Sequence, residues 1–142
     1  TRLRDNPGQG RVVDGPLLGR QHTQWIVVLA RPLLDKEGRF AGVVYANFRT
    51  AFFERILSAP VLGPQGAATV RTTDLALVHR YPDTQGAVGS RNVSKALEDI
   101  IQASPLAGEY IAATALDGIE RSNASARAQL SPYRRMTTVF TT

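Results

Sequence analysis

The sequence predicts an α+β domain built on an antiparallel sheet with helices packed to one side. Three observations point there. Strand-like runs follow one another in hairpin order, as at 25–33 and 40–48. The strand–helix–strand alternation of a parallel sheet is missing. Two segments, 51–59 and 93–103, carry apolar residues at helical spacing.

Each element has a local reason. Residues 1–10 are polar, with turn signals at Pro7-Gly8 and Gly10, and 11–18 are a short apolar piece broken by Gly15-Pro16. Trp25 to Leu33 is rich in β-branched and apolar residues, and Pro32 puts it at an edge or near its end. Asp35 to Arg39 is a turn, for which Gly38 supplies a positive φ. Phe40 to Phe48 returns as the partner strand. Thr50 then suits an N-cap for a helix over 51–59, with Phe52, Phe53, Ile56 and Leu57 on one face, stopped by Pro60 and Gly63-Pro64. A strand pair follows at 67–71 and 75–80, then a loop over 81–92. Ser94 sits near the start of a second helix, whose stripe is Leu97, Ile100 and Ile101. Asp117-Gly118 joins strands at 109–116 and 119–126, and a last strand runs from about Tyr133 to Thr141.

The 142 residues suit a single domain, 1–142. No run approaches 18 consecutive apolar residues, as a spanning helix would need. Without cysteine, disulfides, thiolate metal sites and thiol catalysis are excluded. The net charge is +5, yet Lys36 and Lys95 are the only lysines and only Arg134-Arg135 are adjacent arginines. A nucleic-acid surface should cluster its basic residues and interleave aromatics, so no nucleic-acid partner is predicted.

No catalytic motif is present: there is no HExxH, GxSxG or P-loop. No catalytic residue, metal ligand or cofactor is assigned. His22 sits in a polar loop, where a solvated side chain is expected. His79 lies on a strand between Val78 and Arg80, either hydrogen-bonded and partly buried or a pocket donor.

An ordered set of phrases resembles the extracytoplasmic Cache (PDC) sensor domains, PAS-like modules of bacterial receptors. The set is Gly19-Arg20, Trp25, Arg31-Pro32, the turn Asp35/Gly38/Phe40, Gly42-Val43-Val44 and Phe52-Phe53. It continues through Leu75 to Pro82, through Ser94 to Tyr110, and to Asp117-Gly118-Ile119-Glu120-Arg121. The resemblance implies a PAS-like sheet flanked by helices and a non-catalytic sensing role on the periplasmic side of an inner membrane. It implies a histidine kinase or diguanylate cyclase output, and a homodimer in the full receptor. The family's long first helix would precede Thr1, and the membrane would be met only through flanking helices.

For the ligand site, Trp25 and Arg31 share one face of their strand, and Tyr45 and Asn47 share a face of theirs. Together with His79 and Arg80 they are the candidate ligand-binding residues, an apolar wall with a few convergent polar groups. The amino-acid-binding branch of the family carries an Arg two residues before the Trp, a Tyr just after it and an Asp where the second strand ends. Here those places hold Thr23, Ile26 and Asn47. The expected partner is a small molecule other than an α-amino acid, with Arg31 or Arg80 as donor to an anion. The rival readings are a cytosolic PAS-type interaction module and a basic nucleic-acid-binding domain.

Overall fold

A computed structural model describes residues 2–20, 23–83, 86–131 and 134–141. His22 and Tyr133, both singled out in the sequence, lie outside the described residues. The helix α1 (Arg2–Asp5) leads to β1 (Val12–Leu18), β2 (Trp25–Leu34) and β3 (Phe40–Arg49). A 3-10 turn at Thr50–Phe53 runs into α2 (Glu54–Leu57). Then come β4 (Ala67–Thr72), β5 (Leu77–Tyr81), α3 (Lys95–Ala103), β6 (Ala107–Ala113), β7 (Glu120–Ser131) and β8 (Arg134–Thr141).

The strands form two antiparallel sheets rather than one. The first has the order β1-β2-β3 and the second β5-β4-β8-β7-β6. The last strand of the chain is therefore inserted between β4 and β7, so the second sheet cannot be completed until β8 is in place. The strand β1 was hidden in the sequence by Gly15-Pro16. A bulge between Asp14 and Leu17 absorbs that dipeptide, and β1 is an edge strand, where a missing N–H is tolerated. Gly15 also permits a close approach, since a Cβ there would lie 2.8 Å from the Ile26 carbonyl oxygen.

The core lies between the sheets. Val13 and Val27 from the first sheet meet Leu57 of α2 and Ala68, Val70 and Val78 of the second. Phe53 packs against this cluster, while Phe52 and Ile56 of the predicted helical stripe are exposed. The predicted helix over 51–59 is thus cut to one 3-10 turn and one α turn. Its aromatic residues explain the geometry: Phe52 sits edge-on between Phe48 and Phe53, with ring centroids 6.4 and 5.9 Å away. The second helix forms nearly as the sequence predicts, with the Ser94 hydroxyl accepting from the Leu97 N–H at 3.3 Å.

The two helices occupy opposite faces of the five-stranded sheet, not one side of it. α2 covers the face of Ala68 and Val70, and α3 covers the face of Thr69 and Arg71. Gly108 lets α3 come close: a Cβ at that position would stand 2.4 Å from Ile100 Cγ1. The loop after β5 folds back along it, with Leu77 N–H donating to Ser90 O and Gly89 N–H to Leu77 O, each at 2.8 Å. That loop covers an edge that would otherwise offer unpaired backbone groups.

Candidate functional site

Antiparallel register decides which candidates can share a site. Val28 faces Asn47 and Ala30 faces Tyr45 across β2 and β3, whereas Val27 faces Phe48 and Arg31 faces Val44. Directly opposed residues project to the same side of a sheet. Tyr45 and Asn47 therefore lie on the opposite face from Trp25 and Arg31. The structure does not bring these four into one pocket, and sequence alone could not show it because the strand register was unknown.

Each of the four has another setting. Tyr45 is 65% exposed and Asn47 is exposed. Arg31 is exposed beside Arg11 in an open groove. Trp25 lies against Gly89 of the loop after β5, where a Cβ would be only 3.0 Å from Cη2 of the indole. Trp25 therefore joins the two sheets. His79 is buried, with Nε2 2.7 Å from Glu54 Oε2, which ties β5 to α2.

Arg80 has a different environment. It is buried and lines a partly open cavity between the five-stranded sheet and α3. Its guanidinium pairs with Asp117, as does that of buried Arg121 through Nη1 at 2.8 Å and Nη2 at 2.9 Å. Thr114 also donates to Asp117, and the Ile119 N–H reaches Oδ1 at 3.1 Å. These donors, Arg121 foremost, hold the Asp117 carboxyl far below the usual carboxylate range. Two phrases distant in sequence, Leu75 to Pro82 and Asp117 to Arg121, thus meet in one charge cluster.

The cavity measures about 40 Å³. Roughly 10–15 Å³ on this scale holds one water, so the space suits a ligand of a few non-hydrogen atoms. Thr69, Arg71, Arg80, Tyr110 and Asn123 face it from the sheet, and Leu97 faces it from α3. Alternation along the strands explains this set. Thr69 opposes Arg80 across β4 and β5, and Tyr110 opposes Asn123 across β6 and β7. No carboxylate lines the cavity among the described residues.

Two features of this lining were not foreseen from the sequence. Arg71 is 4% exposed and has no acidic partner among the described residues. Its Nη1 donates to Leu75 O at 2.7 Å and Ser90 O at 3.4 Å, and its Nη2 to Asn92 O at 3.3 Å. Desolvation pulls the guanidinium down to about 10, which still leaves it charged at neutral pH. Burial pushes the Tyr110 phenol the other way, up to about 12, against the pull of the Arg71 charge. Asn123 is 3% exposed, and its Oδ1 has no hydrogen-bond partner. The amide orientation is fixed by its other end, since Nδ2 donates to Arg121 O at 2.7 Å and faces the Ala112 and Tyr110 carbonyls. A readable signal did exist: Arg121, Asn123 and Ser125 recur at every second position, as one buried polar face requires.

No family model matches the chain, and no curated protein matches it. Solved structures do. The chain is similar to the extracellular domain of rpHK1S-Z16, assigned as a histidine kinase, at 25% identity and a TM-score of 0.75, covering 92% of this chain and 52% of that one. It is similar to the periplasmic sensory domain of the Campylobacter jejuni chemoreceptor Tlp1, at 14% identity and a TM-score of 0.76, covering 93% of this chain and 48% of that one. It also resembles the ligand-binding domain of the Pseudomonas aeruginosa amino-acid chemoreceptor PctC in complex with GABA, at 15% identity and a TM-score of 0.70, covering 99% and 60%. The chain spans about half the length of these structures. Its fold is the PAS-like, Cache-type fold of extracellular and periplasmic sensory domains.

Proposed function

We propose that residues 1–142 act as one extracytoplasmic, non-catalytic sensing unit of a membrane receptor, and that its ligand site is the cavity under α3. The buried Arg71, charged and without an acid, carries this reading. A buried cation without a counter-charge is costly, and an anionic ligand would relieve it. Arg80 stays in the site as part of its wall. Ligand binding would favour one packing of α3 on the sheet over another, and that shift would pass to the termini. The core shared between the sheets supports treating them as one unit. The exposed apolar residues of β2 and β3 favour packing against further protein over a ligand role for that hairpin.

Relatives in fold bind amino acids: PctC is seen with GABA and the Pseudomonas fluorescens chemoreceptor CtaA with L-alanine. We place this chain's ligand outside the α-amino acids, because no acid in the cavity would receive an ammonium group. A thermal-shift screen over carboxylates, amines, purines and sugars tests the site. A hit should vanish in Arg71→Met and persist in Tyr45→Ala. A hit lost in Tyr45→Ala and kept in Arg71→Met would return the site to the β2–β3 hairpin.

A further inference from the structure

Resting on the cavity under α3 as the ligand site, we propose that it selects a small hydroxycarboxylate of two or three carbons, with the carboxylate on Arg71 and the hydroxyl donating to Asn123 Oδ1.

Three independent facts narrow the chemistry. The first is the charge. Arg71 donates through Nη1 and Nη2 to backbone carbonyls, and its Nε–H has no acceptor among the described residues. A guanidinium with a free edge in a largely buried site recognises a planar oxyanion. The second is the lone acceptor. Among the described residues, Asn123 Oδ1 is the buried side-chain atom without a hydrogen-bond partner, and an acceptor calls for a donor on the ligand. Acetate and propionate have none in their ionised form. A hydroxyl supplies one without adding charge. The third is the absence of an acid from the lining. The nearest carboxylate, Asp117, is already held by Arg80, Arg121 and Thr114. An ammonium group beside two buried guanidiniums would meet repulsion with nothing to offset it, so the hydroxyl is preferred over the amine. The cavity volume of about 40 Å³ then limits the carbon chain.

The test is calorimetric titration of the 142-residue chain with glycolate, L-lactate and D-lactate, against acetate, propionate, glycine and L-alanine. A hydroxy acid should bind at least about tenfold more tightly than its deoxy and amino counterparts, since a buried acceptor left unpaired penalises an analogue that lacks the donor. Asn123→Leu should erase that preference while leaving weak carboxylate binding, and Arg71→Met should remove binding of every carboxylate. Circular dichroism melts of the ligand-free variants check that each is folded. The wild-type ranking stands as a readout even where a variant does not fold. Tighter binding of acetate or alanine that is lost in Arg71→Met would overturn the hydroxy-acid assignment and leave the site intact. Absence of any binding, or binding indifferent to Arg71, would overturn both and assign the cavity to ordered water.

Discussion

In β4 all six residues are buried, whereas β3, ten residues long, has none buried. Yet β3 reads Phe-Ala-Gly-Val-Val-Tyr-Ala-Asn-Phe-Arg and β4 reads Ala-Ala-Thr-Val-Arg-Thr, so the more apolar strand is the more exposed one. The difference lies in neighbours. β4 sits between β5 and β8 with a helix on each face, while β3 is an edge strand with little above it. Polarity survives burial in the second sheet because it is paired. Arg80 and Arg121 share Asp117, and Thr72 Oγ1 donates to Ala76 O at 3.3 Å. Among the described residues, Arg71 has no acidic partner and Asn123 Oδ1 has no hydrogen-bond partner, and both line the same cavity.

The contrast can be broken most forcefully at its charge cluster. Asp117→Ala would leave two buried guanidiniums without their shared acid, and the chain should lose roughly 3 kcal/mol or more of unfolding free energy in urea titrations. Core packing comes next. Leu97→Ala should cost about 2–5 kcal/mol, as expected for a buried leucine. Gly108→Val, which drives a side chain into Ile100, should cost about 1–3 kcal/mol by overpacking. The smallest effect belongs to the first sheet: Tyr45→Ser should stay within about 0.5 kcal/mol, since an exposed side chain loses little on replacement. Equal losses in Tyr45→Ser and Leu97→Ala would erase the distinction between the sheets.

Acid sharpens the same comparison. The folded Asp117 carboxyl ionises well below its unfolded value of about 3.9. Its contribution is therefore complete above that value and is lost as pH falls toward the depressed folded one. Melting temperature should hold from neutral pH to about pH 5 and then drop, and the drop should be shallower in Asp117→Asn.

Much of this architecture was legible from the chain. The β2–β3 hairpin, its turn at Asp35 to Arg39, the Ser94 cap and the Asp117-Gly118 turn all follow from local chemistry. The two-sheet arrangement did not, because insertion of β8 between β4 and β7 is a long-range pairing with no local mark. The candidate site was half legible. Arg80 could be chosen as a possible bidentate donor to an anion at the end of the strand-like run Leu75 to Arg80. Arg71 was not legible, because what distinguishes it is burial without an acid, which only three-dimensional neighbours reveal, and the alternation Arg121, Asn123, Ser125 marks a polar face without showing that it is buried. Trp25, a ligand candidate through the family resemblance and the face that it shares with Arg31, instead packs against Gly89 and joins the sheets.

Whether ligand enters the cavity under α3 is read from backbone amide shifts recorded by NMR during titration with L-lactate. The largest shifts should fall on Arg71, Tyr110 and Asn123, with Tyr45 and Asn47 unmoved. Shifts confined to the β2–β3 hairpin, with Arg71 and Asn123 silent, would contradict it.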